Sequence, residues 1–321
     1  VLITVADVEA ASERLAGHVL RTPTLASPGL SALLGADVTV KLELLQRTGS
    51  FKARGAAAKL LALGPAERAA GVVAVSGGNH GIGLAVMAGA LGVRATVVMP
   101  RSAPARAVAR AEEAGAEVLL ADTMKGAFAL MEELCDAGLT LVHPFDDPLV
   151  VAAQGTVGLE LAEDAGELTD VLVSIGGGAL ISGVATALRA RRPGVRVWGV
   201  ETEGAHAMSA ALAAGGPVQV ELSSVVSTLS APTVSPLTYA HVVALVEDVV
   251  TVTDAEAVRG TLDLAEHAKV WAEPAAGCLL PAARTVLDRV GPDARLGLVV
   301  CGGNATTADV TAWAERFGVP A

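Results

Sequence analysis

The 321-residue chain carries 34 acidic against 23 basic side chains, a net charge of −11, and no basic block, which excludes a nucleic-acid surface built on clustered Lys and Arg. Much of its 52% hydrophobic content is Ala and Val, and no apolar run approaches a bilayer-spanning length. The three cysteines, Cys135, Cys278 and Cys301, lack CxxC spacing and point to a reduced, cytoplasmic compartment rather than a disulfide framework.

Such a length suits two lobes or one large α/β unit. Val1-Leu-Ile-Thr leads at once into acidic helical sequence, so no secretory leader is expected, nor any effector domain after residue 321. An amphipathic helix is predicted over 5–17, and Arg21-Thr-Pro-Thr breaks it. A short helix at 30–34 leads to a strand at 38–44 and an Ala/Leu-rich helix at 53–63. Ser50 occupies the position of an N-cap, which puts Lys52 in the first helical turn. The positive end of the helix dipole disfavours an ammonium there, and an amine held partly deprotonated can attack a carbonyl.

Strands at 71–75, 95–99, 117–120 and 140–143 alternate with helices at 82–91, 104–114 and 125–137, the pattern of a parallel sheet with right-handed crossovers. A second alternating block follows Asp146-Asp-Pro. Its helices are predicted at 154–165, 179–191, 207–214, 236–246, 254–268 and 277–290, and its strands at 171–175, 195–201, 248–252 and 296–300. Residues 215–236 are rich in Gly, Pro, Ser and Thr and read as a long functional loop. The expected domains are a discontinuous larger one, 1–70 with 148–321, and a small mobile α/β domain over 71–147.

Three strands end in glycine loops: Ser76-Gly-Gly-Asn-His, Gly176-Gly-Gly-Ala and Cys301-Gly-Gly-Asn. Glycine lets a backbone approach an anion, and the N–H groups of a helix start supply donors. None of these loops contains GxGxxG or ends in Gly-Lys-Ser/Thr, and the chain has no GxSxG elbow and no HExxH. Of the six histidines only His80 lies in such a loop, so a histidine-rich metal centre is not expected.

Lys41-Leu-Glu-Leu-Leu-Gln-Arg-Thr-Gly-Ser-Phe-Lys-Ala-Arg-Gly-Ala, Ser76-Gly-Gly-Asn-His-Gly-Ile-Gly, Gly176-Gly-Gly-Ala-Leu-Ile-Ser-Gly, Glu273-Pro-Ala-Ala-Gly and Cys301-Gly-Gly-Asn resemble the successive motifs of the threonine/serine dehydratases. The resemblance runs in that family's order from about residue 4 to the last strand and extends to serine racemases. It implies a fold-type-II pyridoxal-phosphate enzyme, α/β, with two open parallel-sheet lobes of the tryptophan synthase β kind. Lys52 would form the Schiff base with pyridoxal 5'-phosphate, Phe51 would flank the ring, and Asn79 would meet the ring hydroxyl. Gly176, Gly177, Gly178, Ala179 and Leu180 would bind the phosphate, and Cys301 would face the pyridine nitrogen. Ser76, Gly77, Gly78, Asn79 and His80 would receive the substrate carboxylate, and Glu273, the motif's acid near the site, would act with Lys52 in catalysis.

Four departures shape the expectation. Ala179 stands where a fourth glycine is usual, and Cys301 where Ser is usual. Glu201 matches one acid of the cation-binding members, but the second falls at Ala207, so no metal is expected. Ser227-Thr-Leu-Ser-Ala-Pro replaces Thr-Ile-Ala-Asp-Gly. The implied reaction is dehydration and deamination of L-threonine, L-serine or a larger β-hydroxy amino acid to a 2-oxo acid and ammonia. Racemisation, β-replacement and a non-catalytic metabolite-binding role are the alternatives. Gly77 replaces the serine that serves racemases as a second base, which disfavours racemisation. A small-molecule amino-acid substrate, a homodimer, and neither nucleic-acid nor membrane partners complete the expectation.

Overall fold

The computed structural model describes residues 1–320 and contains two sheets. Helix α1 (Val5–Leu15) starts on a capping box between Thr4 and Asp7. Strand β1 (Thr24–Ala26), helix α2 (Pro28–Leu34) and strand β2 (Asp37–Leu42) follow, then helices α3 (Lys52–Leu61) and α4 (Pro65–Ala70). The first repeating block is β3 (Val72–Val75), α5 (Asn79–Leu91), β4 (Ala95–Pro100), α6 (Ala105–Glu113), β5 (Glu117–Ala121), α7 (Met124–Asp136) and β6 (Thr140–Leu141). The second opens with α8 (Pro148–Asp164), β7 (Asp170–Ser174), α9 (Ala179–Arg191), β8 (Arg196–Thr202) and α10 (Ala207–Ala214). It closes with α11 (Pro236–Leu245), β9 (Asp248–Val252), α12 (Asp254–Asp263), α13 (Pro274–Gly277), α14 (Leu279–Val290), β10 (Arg295–Val300) and α15 (Thr307–Phe317).

The strands of the first block form a parallel sheet in the order β5-β4-β3-β6. The other sheet runs β1-β2-β10-β7-β8-β9 and is parallel except for β1, which lies antiparallel on β2. The α/β, parallel-sheet expectation therefore holds with that one edge strand added. β10, last in sequence, lies between β2 and β7, with Leu296 opposite both Val38 and Asp170. This insertion brings together the loops after β2, β7 and β10, where open α/β sheets bind ligands. Strands buried on both faces explain the near-continuous Val/Leu runs, as in β7, all of whose residues are buried. Helices α8 and α9 pack almost backbone to backbone: a Cβ on Gly183 would lie 2.3 Å from the Gly155 nitrogen.

Several local expectations are corrected. Ser50 does not cap α3: Phe51 is the N-cap and makes no side-chain bond. Ser50 instead bridges to Gly302, and its buried hydroxyl has no partner. The helix expected from residue 154 starts at Pro148, because Asp147 caps it by accepting the Leu149 N–H. The long helix expected over 254–268 ends at Asp263 in a π turn closed by Lys269 in the left-handed region (φ 58°). Four elements were not anticipated: β1, α4, α13 and α15. The first pairs with β2 and also packs against α8, whereas α4 and α15 have local start signals, Pro65 with Glu67 and Thr306 with Asp309.

Candidate active site

Lys52 is the first residue of α3, and its Nζ donates to the Pro144 carbonyl at 3.0 Å. Burial disfavours its ammonium and pushes its pKa down to about 8, with a smaller opposing pull from Cys301. The Phe51 ring centroid lies 5.1 Å from the same nitrogen.

What fixes the start of α3 is a buried ionic cluster two residues on. Arg54 donates Nε and Nη2 to Glu43 at 2.8 and 2.7 Å, and Nη1 to Glu160 at 2.6 Å. Lys41 Nζ reaches the other Glu160 oxygen at 2.6 Å. Burial would raise the Glu43 carboxyl, but the Arg54 guanidinium offsets it and holds that carboxyl below its usual range. Such a cluster ties α3 to β2 and α8 in one geometry, and removing a single member leaves an unpaired buried charge.

The loop after β7 is a cradle made of backbone. A Cβ on Gly177 would sit 2.0 Å from the Phe145 ring, and one on Gly176 would sit 3.2 Å from the Leu229 carbonyl. Gly178 has φ 93° and would place a Cβ 2.8 Å from Thr238. The cradle opens on the N-terminus of α9, where Ala179 and Leu180 supply the first unpaired N–H groups. Cys301 is buried at the end of neighbouring β10, and burial raises its thiol well above its usual pKa. Its carbonyl accepts the Phe51 N–H at 3.0 Å, so it lies against the Lys52 segment.

From the other sheet, the loop after β3 brings Ser76–His80 to the same crevice. Ser76 Oγ accepts the Gly78 N–H at 3.2 Å. His80 Nε2 lies 2.7 Å from the Val142 carbonyl, which can only accept, so that nitrogen carries the proton. Burial pushes the imidazole down to about 3, leaving it neutral. The His80 ring is thus committed to Val142, and what it offers a ligand is its backbone N–H.

Asn79 Nδ2 donates to Glu273 Oε1 at 2.7 Å. Burial raises the Glu273 carboxyl above its usual pKa, against the pull of the Asn304 N–H and Asn79. Asn304 is the principal residue that sequence reasoning passed over. Its Nδ2 donates to Asn79 Oδ1 at 2.7 Å and to the Thr48 carbonyl at 3.0 Å, and its backbone N–H to Glu273 at 3.2 Å. It stands last in the Cys301-Gly-Gly-Asn motif, which was the available signal. A cavity beside Gly77–Asn79 and Glu273 is walled by Val225, Val226 and Thr228 and by Arg106 and Trp313.

Glu201 is committed to α10. Its carboxylate accepts the Met208 and Ser209 N–H groups at 2.8 Å each and the Ser209 hydroxyl at 2.6 Å, so it caps α10. Among the described residues no group of three or more His, Cys, Asp or Glu is placed to hold a metal. Among them also, no helix is long and apolar enough to cross a membrane.

Residues 15–302 match the family profile described as pyridoxal-phosphate dependent enzyme. The L-threonine ammonia-lyase of Thermotoga maritima is 38% identical over 309 residues, 94% of this chain and 76% of that protein. The structure of a threonine deaminase from T.th. superposes with a TM-score of 0.88 at 38% identity, covering 95% of this chain and 99% of that one. Maize serine racemase superposes with a TM-score of 0.90 at 31% identity, covering 99% and 98%.

Proposed function

The chain belongs to the pyridoxal-phosphate-dependent enzymes, and we propose that within them it deaminates L-threonine and L-serine with Lys52 as cofactor-bearing residue and base. It is a fold-type-II enzyme that performs pyridoxal-phosphate-dependent β-elimination on a β-hydroxy amino acid, giving a 2-oxo acid and ammonia. The observation that carries the residue assignment is the Lys52 amine, poised at about 8 in a crevice shared by three glycine loops.

The residues present suit pyridoxal phosphate. The Gly176–Gly178 cradle has no room for a Cβ at Gly177 or Gly178 and little at Gly176, and it opens on a helix start, as a phosphate requires. The unpartnered Ser50 hydroxyl lies buried beside the Lys52 segment. When bound, the cofactor supplies an electron-withdrawing ring that weakens the substrate Cα–H bond. The N–H groups of Ala179 and Leu180 would take its phosphate, the Phe51 ring would flank it, and the Asn79 amide would meet its hydroxyl.

An amine with a pKa of about 8 both accepts and returns a proton near neutral pH, so Lys52 removes the α-proton. The backbone N–H groups of Asn79 and His80, at the start of α5, hold the substrate carboxylate, while the Gly78 N–H stays on Ser76 Oγ. The buried, protonated Cys301 thiol is a weak proton donor, which favours expulsion of the β-hydroxyl over reactions that store charge in the ring. Glu273 holds Asn79 and the loop after β10 in register.

Residues 71–147, the block of the four-stranded sheet, act as the mobile domain that closes on substrate, while 1–70 with 148–321 hold the cofactor. Three free thiols support a cytoplasmic setting, and Leu25, exposed on edge strand β1, supports a homodimer. The deciding assay offers L-threonine, L-serine and larger β-hydroxy amino acids without added thiol, and follows 2-oxo acid and ammonia together. Turnover of L-threonine or L-serine is expected. Product that appears only with a thiol co-substrate would assign β-replacement instead.

A further inference from the structure

Helix α6 packs on α5 and β5 of the four-stranded sheet, whereas Asn304 follows β10 of the other. Two arginines one helical turn apart on α6 cross that gap. Arg106 pairs with Asp309 in the first turn of α15. Arg110 Nη1 donates to Asn304 Oδ1 at 2.7 Å.

The second contact has consequences further in. A guanidinium can only donate, so it requires the oxygen end of the Asn304 amide. The nitrogen end then faces Asn79 and donates to its Oδ1 at 2.7 Å. That fixes the Asn79 amide in turn, whose nitrogen is directed to Glu273 at 2.7 Å. Two amides that could each lie either way round thus take one direction, set at one end by Arg110 on the Asn304 oxygen together with the Thr48 carbonyl on its nitrogen at 3.0 Å, and at the other by the Glu273 carboxylate. Arg110 is the only member of the row carried by α6.

We propose that Arg110 is a positioning residue for the reaction. Docking of α6 places its guanidinium on Asn304, and the Arg110–Asn304–Asn79–Glu273 row then presents the Asn79 nitrogen as donor to the cofactor-binding crevice. This rests on the reading of Asn79 as a cofactor contact. Docking of one sheet's helix is thereby coupled to polarity within the site, through amide orientation rather than large displacement.

The test is a double-mutant cycle, reading the affinity of cofactor-free protein for pyridoxal phosphate, kcat/KM of the holoenzyme, and Tm. Arg110→Met and Asn304→Ala should each weaken cofactor affinity about tenfold, the scale of one charge-assisted hydrogen bond, and the double variant no more than Asn304→Ala alone. Arg110→Lys, which keeps one donor, should recover to within about threefold of the parent. Arg106→Met breaks the neighbouring ion pair without touching Asn304, so its effect should add to that of Asn304→Ala. Should Asn304→Ala not fold, Asn304→Asp retains the acceptor for Arg110, withdraws the donor to Asn79, and must show the same loss. Additive losses for Arg110 and Asn304, or identical non-additivity for Arg106, would overturn the relay in favour of simple helix docking. Weakened Asn79→Ala beside unaffected Arg110→Met overturns the relay alone, and unaffected Asn79→Ala overturns it together with the reading beneath it.

Discussion

The loops after β7 and β3 both end a buried strand in glycines and both open a helix, yet their surroundings differ. Beneath the first, every residue from Ala179 to Leu188 of α9 is buried, and α8 covers it at backbone contact. The second opens α5, itself buried from Asn79 to Ala85, but the layer beyond it is thin: α6 buries only Ala107 and Ala111, α7 only Ala127 and Met131, and β5 no residue at all. Deep packing keeps a backbone cradle in one shape, while a thinly covered layer can shift at low cost. On that contrast the first loop is expected to act as a fixed anchor and the second as a movable jaw.

The largest expected effect is the loss of the residue that both loops surround. Lys52→Ala should abolish the visible absorbance of the holoenzyme and lower turnover by at least the ~10²–10⁴-fold attributable to a positioned base. Borohydride reduction and peptide mapping should place the label on Lys52. A label on Lys41, Lys59, Lys125 or Lys269 would refute the assignment. The amine is protonated below its pKa of about 8 and free above it. Reconstitution of cofactor-free protein should therefore accelerate as pH rises through about 8, rather than through the usual lysine range.

Next comes the same substitution in the two loops. Gly177→Ala drives a Cβ to 2.0 Å from the Phe145 ring, whereas Gly78→Ala meets nothing nearer than Thr228 Cγ2 at 3.8 Å. The first should cost about 1–3 kcal/mol of stability together with cofactor retention. The second should change stability by less than about 0.5 kcal/mol and act on substrate KM. Thermal melts and cofactor stoichiometry of the pair decide it, and equal destabilisation would erase the contrast between anchor and jaw.

A smaller effect is expected at Gly77. Gly77 has no side chain to return a proton, so negligible D-serine is expected from L-serine, as chiral chromatography would show. A Cβ at Gly77 would lie 2.8 Å from that of Ala103, so Gly77→Ser gains racemisation fully only when paired with Ala103→Gly. D-serine forming as fast as pyruvate in the parent enzyme would contradict this. The smallest effect is expected at Cys301→Ser, which exchanges one poor proton donor for another and should alter kcat within about threefold.

By itself the sequence determined the alternation of strands and helices, the three glycine loops and the lysine at a helix start. Period, apolar runs and punctuation by Gly are local properties, written in neighbouring residues. Asn79, Glu273 and Cys301 were legible only through motif order, since nothing in their immediate sequence says that they meet. Tertiary structure decided what depends on distant partners. Ser50 looks like a cap, yet its neighbour is Gly302 and its hydroxyl is left without a partner. β1 exists because β2 offers it an edge, and the Arg54 cluster because β2, α3 and α8 converge. His80 faces the loop motif in sequence but turns its ring to Val142. Asn304 acquires its place because β10, made last, inserts between β2 and β7 and carries its loop to the crevice. A hydrogen-bond partner more than 200 residues away in sequence, as Asn79 is from Asn304, has no local signature. Chain topology alone brings the two amides within 2.7 Å.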